Sequence, residues 1–236
     1  MYIPHRCGIV RRMKNNKGGR QMTFQPSENF KAVMAAIDAV NAEDPRKIEV
    51  DGGERPYESV YAERMTETLE SIYPDASELL RIAARAQHVR RWEIPRDTYP
   101  KNRQGYQKWR LSLRKMHGEI VTEIMTTNGY SSEDADLVAA YLRKEKLKKA
   151  ADSQALENVV DVVFLNYYWD EFVGRYPNYD DDKLIDIVGK TLRKMSSTGH
   201  AAALALDLPE ATTRIVLAAV EREKDTLARL AEHEVS

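Results

Sequence analysis

The sequence predicts an all-α protein, a single bundle of about eight helices, and three observations carry that prediction. Apolar residues recur at helical spacing along nearly the whole chain from Met22 onward. Ser, Asp and Pro precede these stretches, and Pro or Asn-Gly follows them, as helix starts and stops require. No strand alternates with the helices, no Gly-rich turn joins a strand to a helix, and no internal repeat is present.

Taken in order, Ser27 caps a first helix with Phe30, Val33, Met34, Ile37 and Val40 inward, ending before Asp44-Pro45. KIEVDGGERP reads as a loop in which Gly52 and Gly53 permit a tight turn. Pro56 opens a second helix with Tyr57, Val60, Tyr61, Met65, Leu69 and Ile72 on its inner face. The stretch from Leu79 to Arg96 is the centre of the prediction, because Leu79, Leu80, Ile82, Ala83, Ala84 and Ala86 leave almost no polar face and so imply burial. A fourth helix, from Gln104 to Thr127, turns Tyr106, Trp109, Leu113, Met116, Ile120 and Ile124 inward, with His117 on that face. Ser131 or Ser132 starts a fifth helix that runs into RKEKLKK. QALENVVDVVFLNYYWDEFV forms a sixth, KLIDIVGKTLRKMSSTGHAAALALDLP a seventh, and a last helix follows Pro209.

With 42% hydrophobic and 31% charged residues, the chain has the composition of a soluble globular protein. No apolar run approaches the roughly 20 residues that span a bilayer, which argues against a membrane role. Cys7 is the sole cysteine, so no intrachain disulfide forms and a reducing, cytoplasmic setting fits. A net charge of −1 argues against a general nucleic-acid binder. Residues 1–22 are nonetheless basic and are expected to be a disordered extension ahead of a single helical domain over 23–236.

Two constellations stand out. His88 ends the central apolar stretch and His117 lies on the next helix; with Glu157 and Asp161 on a later apolar helix they offer imidazole and carboxylate ligands for a divalent metal. The alternative has each histidine hydrogen-bonded in the core and each acid paired with a lysine. The second constellation is cationic. Arg90, Arg91 and Arg96 follow His88, and Lys144/Lys148 and Lys190/Lys194 each present two ammonium groups on one helix face. Together they suit a phosphate or carboxylate, while each lysine pair alone is equally a solvated face. KMSST at 194–198 looks like the signature loop of class I aminoacyl-tRNA synthetases but lacks its second lysine and its parallel-sheet context, so it is read as chance.

The blocks DGGERP (51–56), YAERM (61–65), ARAQHVRRWEIPR (84–96), GYQKWR (105–110), LRKEKLK (142–148) and KTLRKMSSTGHAAALAL (190–206) are similar to the helical family known as domain of unknown function 4202. A more distant resemblance is to HD-domain metal-dependent phosphohydrolases. There AARAQHVRR resembles the His-Asp helix with His88 in place, HGEIVTEIM resembles the next with His117, and NVVDVVF resembles the late aspartate with Asp161. That resemblance implies an HD-like bundle with a degenerate centre: Val89 replaces the aspartate after the histidine, and Tyr61 or Glu63 stands where the first histidine belongs. It implies one divalent metal at most, on His88, His117 and Asp161, the same residues acting in catalysis. A small anionic, phosphorylated substrate would then meet Arg90, Arg91, Arg96, Lys144, Glu145, Lys148, Lys190, Lys194 and His200. A non-catalytic ligand-sensing or partner-binding protein that keeps the pocket is the second reading, and an RNA-related role resting on the basic extension is the third.

Overall fold

The structure is a computed structural model that describes residues 24–234 apart from 146 and 148. The basic extension at 1–22 and Lys148 lie outside the described residues. Within the span that the sequence suggests is one domain, the chain forms two compact units, Met1–Glu145 and Lys146–Ser236. The described residues are mostly helical, as expected, but hold ten α-helices rather than eight, together with one two-stranded sheet.

In the first unit, α1 (Glu28–Ala42) is capped by the Ser27 hydroxyl, which accepts from the Phe30 amide. The segment expected to be a loop is a hairpin, β1 (Lys47–Val50) paired antiparallel with β2 (Gly53–Pro56). Its two-residue turn, Asp51-Gly52, has φ of 54° and 79°. That mirror-image turn matches the twist of the strands, and Asp-Gly is its characteristic dipeptide. The hairpin folds the chain back so that Tyr57 N donates to Arg46 O at 2.9 Å, and α2 (Tyr57–Ile72) starts beside the end of α1.

The central stretch is helical only over α3 (Glu78–Arg85). Residues 86–90 form turns, and Arg90, at φ 53°, ends them in the left-handed region. After Ala86 the amides of Gln87 and Val89 donate to carbonyls three residues back, those of Ala84 and Ala86, so the α-helix gives way to tight turns before His88, and the Val89 carbonyl accepts from His117 Nδ1 at 2.7 Å. Next, α4 (Arg103–Thr127) buries Gly105, Trp109, Leu113, His117, Val121 and Met125, an i, i+4 stripe rotated from the expected one, with Tyr106 exposed. α5 (Ser132–Leu142) packs along α4 and against α3.

The second unit accounts for the extra helices. The expected sixth helix is α6 (Ala151–Val163), a π turn at Phe164–Tyr168 and α7 (Trp169–Arg175). The expected seventh is split into α8 (Asp181–Leu192) and α9 (Ser197–Leu204). Its break has a tertiary cause: Asn158 on α6 accepts from Ser196 N at 2.9 Å and donates to Ser196 Oγ at 2.7 Å, holding Ser196 extended. α10 (Glu210–Ala231) packs on α8. No described helix is long and apolar enough to cross a membrane.

Gly105 lets the first turn of α4 touch the preceding loop, since a Cβ there would lie 2.1 Å from the Pro100 carbonyl oxygen. Gly105→Ala is therefore expected to destabilise the protein by about 1–3 kcal/mol despite alanine's better helix propensity. Gly174→Ala, where a Cβ meets nothing within 4 Å, is expected to be neutral or mildly stabilising. Thermal unfolding of the two variants beside the parent checks both.

Candidate functional site

A buried polar cluster occupies the first unit, and it begins at the hairpin. Asp44 is fully buried; its carboxylate accepts from Glu58 N at 3.1 Å, capping α2 where Pro56 supplies no side-chain cap. The same carboxylate accepts from Arg46 N, Nε and Nη2 at 2.9, 3.0 and 2.8 Å. Arg46 Nη2 also donates to Glu58 Oε1 at 2.6 Å. Glu58 is itself fully buried in the first turn of α2, where the helix dipole favours an anion. Its other oxygen, Oε2, lies 3.3 Å from His88 Nδ1 without hydrogen-bond geometry. The His88 ring stacks on Tyr61, one turn along α2 from Glu58, at 3.9 Å and 14°.

His117 completes the interior of the cluster. It is 3% exposed, and its ring centroid lies 6.1 Å from that of His88. Because Nδ1 sits 2.7 Å from the Val89 carbonyl, which only accepts, the proton is on Nδ1 and Nε2 carries a lone pair. That Nε2 is buried and has no hydrogen-bond partner among the described residues.

Cations surround these rings. The Arg91 guanidinium lies 4.7 Å over Trp109, and Arg110 lies 5.7 Å over Tyr106. Neither guanidinium makes an ion pair or a side-chain hydrogen bond with a described residue. Burial, followed by the charges of Arg91, Arg46, Lys144 and Arg110, pushes the His88 imidazole well below its ordinary pKa. Burial also brings His117 down to about 3, with His88 and Arg91 adding to it while the Val89 carbonyl and Glu58 oppose. Glu58 is raised by burial, against the pull of Arg46 and Arg91. For Arg46 burial works against the charged form, but the Asp44 and Glu58 carboxylates win and the guanidinium stays protonated.

The structure thus brings together His88, His117 and Arg91 from among the predicted residues. Arg96 lies on the same aromatic row, 5.8 Å over Trp109, with its Nη atoms donating to the Tyr99 and Pro100 carbonyls. Arg90 Nε is 3.6 Å from Glu93, and Glu145 accepts from Arg143 Nε at 2.6 Å. Lys144 adds its charge near His88. Asp161, Lys190, Lys194 and His200 belong to the second unit. There Lys194 Nζ pairs with Asp161 at 2.5 Å and Glu157 at 3.3 Å, Lys190 with Asp186 at 2.6 Å, and His200 Nε2 lies 2.8 Å from Leu192 O. KMSST is the α8–α9 turn bound to α6. Among the described residues no group of three or more His, Cys, Asp and Glu is arranged to hold a metal ion. Sequence reasoning missed Glu58, Asp44, Arg46 and Arg110; the Asp-Gly hairpin, and Glu58 three residues before Tyr61 on one helix face, were the signals that pointed to the first three. A separate cleft lined by Gly118, Glu119, Thr122, Glu123, Asp136 and Arg143 has three carboxylates and so suits an anion poorly.

Fold and site together define a helical protein with an interior imidazole–carboxylate–arginine cluster. The model of the family described as domain of unknown function DUF4202 matches residues 31–216, and the chain belongs to that family. No curated protein and no solved structure matches it.

A buried neutral histidine has a signed consequence for stability. Folded His117 gives up its proton at about pH 3, the unfolded residue near its ordinary 6.5, so its contribution is present above 6.5 and is lost as pH falls toward 3. The loss amounts to at most about 1.4 kcal/mol per pH unit. His117→Asn keeps a donor for the Val89 carbonyl without titrating. Denaturant unfolding is expected to show the stability of the parent relative to this variant shrinking by about 2–3 kcal/mol from pH 7 to pH 4.5; an unchanged difference would mean that the imidazole is not held neutral.

Proposed function

We propose that this protein is a hydrolase of small phosphorylated compounds and that the cluster of the first unit is its active site. The observation that carries this reading is the partnerless Nε2 lone pair of His117, held inside a cluster whose nearest unpaired charges are guanidinium groups. Arg91 and Arg110 would bind phosphate oxygens, with the planar donor fork of arginine suited to them. Water placed at His117 Nε2 would give up a proton there as its oxygen attacks phosphorus; the ester P–O bond breaks, and the leaving oxygen takes a proton from solvent. A bound dianion opposes the cations that depress His117, so substrate raises the basicity of the imidazole when it is needed. Tyr61 stacks on His88, and Glu58 balances the charge of Arg46 beside it.

This reading takes the first unit as the HD-like part of the chain, with the two imidazoles in consecutive helical segments. The divalent metal implied by the HD resemblance would draw on His88 and His117, but the third expected ligand, Asp161, is paired with Lys194 in the second unit. With no three-ligand group among the described residues, the residues of this cluster do not fit a divalent metal, and the imidazole itself serves as the base.

Release of phosphate from a panel of monoesters and pyrophosphates by the full chain, with and without added Mn, Fe or Zn, tests the proposal. His117→Asn is expected to lower kcat by roughly 10²–10⁴ with little change in KM. Arg91→Gln is expected to raise KM as well. A phosphate-dependent rise in Tm without any turnover would favour the ligand-sensing reading, and the absence of both turnover and a rise in Tm would overturn the anion site itself.

A further inference from the structure

Beyond the histidines, the two phosphate-binding arginines continue into a row of cationic and aromatic groups whose rings, Trp109 and Tyr106, and third cation, Arg96, the hydrolytic reading leaves unused. Arg91 lies over Trp109, and Arg96 lies 5.8 Å from both the Trp109 and Tyr106 rings. Arg110 lies over Tyr106 from the next turn of α4. Trp109 is 9% exposed and fixed by its Nε1 donating to the Ile94 carbonyl at 2.8 Å, whereas Tyr106, whose ring centroid is 5.8 Å away, is 46% exposed. Arg96 is fixed too, its two terminal nitrogens donating to the Tyr99 and Pro100 carbonyls, so its charged plane is held beside the rings.

We infer that the site takes a mononucleotide, its phosphate at Arg91 and Arg110 and its base stacked at Tyr106. The inference rests on the phosphate-site reading above. Two features of the row favour it over a sugar phosphate. The cations here lie over ring faces beside an open aromatic, a surface that complements a planar π-system better than a hydroxylated chain. Arg110 sits over Tyr106 two turns before His117 on α4, so a ligand bridging the two places needs an anionic end and a flat end only a short distance apart. One exposed ring in the row accommodates one base, which argues for a mononucleotide over a nucleic-acid strand.

Calorimetric titration of the full chain with AMP, GMP and CMP, ribose 5-phosphate, inorganic phosphate and single-stranded oligonucleotides tests this. At least one mononucleotide is expected to bind about tenfold or more tighter than ribose 5-phosphate. Tyr106→Ala is expected to remove that margin while leaving ribose 5-phosphate binding unchanged, and Tyr106→Phe to keep it. Equal affinities for ribose 5-phosphate and all three nucleotides would overturn the inference and leave the phosphate site standing. Affinity that grows with oligonucleotide length would overturn it in favour of a strand-binding surface. Absence of binding by every phosphorylated compound would overturn both readings.

Discussion

A carboxylate with no exposed surface governs the first unit. Burying Glu58 is costly unless its charge is met, and the meeting partner, Arg46, comes from the other side of the hairpin. That one constraint requires the tight Asp51-Gly52 turn, the antiparallel register that returns Pro56 opposite Lys47, and the buried Asp44 that aligns Arg46 and caps α2. Removing Arg46 would leave two fully buried carboxylates unpaired, although the 43% exposure of the Arg46 side chain lets water screen part of that loss. The arrangement spends this tolerance on holding a charged group within 3.3 Å of an imidazole, which core packing alone would not select.

The same constraint explains what the sequence revealed and what it concealed. The helices were legible because Phe30, Val33 and Ile37, or Val60, Tyr61, Met65 and Leu69, repeat at the helical period and are buried as that period requires. His88 and His117 were legible as neighbours because both end or line apolar stretches in successive segments. Glu58 and Arg46 were not, since a lone acid at a helix start reads as a dipole partner and a lone arginine before a turn as a solvated charge; their pairing exists only once the hairpin closes. The stop of α3 at Arg85 was hidden as well, because the apolar run continues through Ala86 while the Gln87 and Val89 amides turn to carbonyls three residues back.

In the second unit the polar face of α6 shows how a suggestive motif can have a structural cause. Gln154 donates to the Lys194 carbonyl at 2.9 Å, Asn158 holds Ser196, and Lys194 pairs with Asp161 and Glu157. Gly199 follows from the same approach, since a Cβ there would lie 2.6 Å from Asn158 Oδ1. Lysine, serine and glycine in KMSSTG are thus accounted for by the α6 contact, independent of any nucleotide loop. The aspartate that resembles the late HD ligand takes part in that contact, with Lys194 as its ion-pair partner.

The central claim is that the cluster around His117 receives a phosphoryl group. A crystal structure of the full chain grown with orthovanadate, which adopts the geometry of phosphoryl transfer, tests it most directly. The account predicts vanadate oxygens within hydrogen-bond distance of Arg91 and of His117 Nε2. Vanadate bound elsewhere with the cluster unchanged, or no vanadate at the cluster at a saturating concentration, would contradict it.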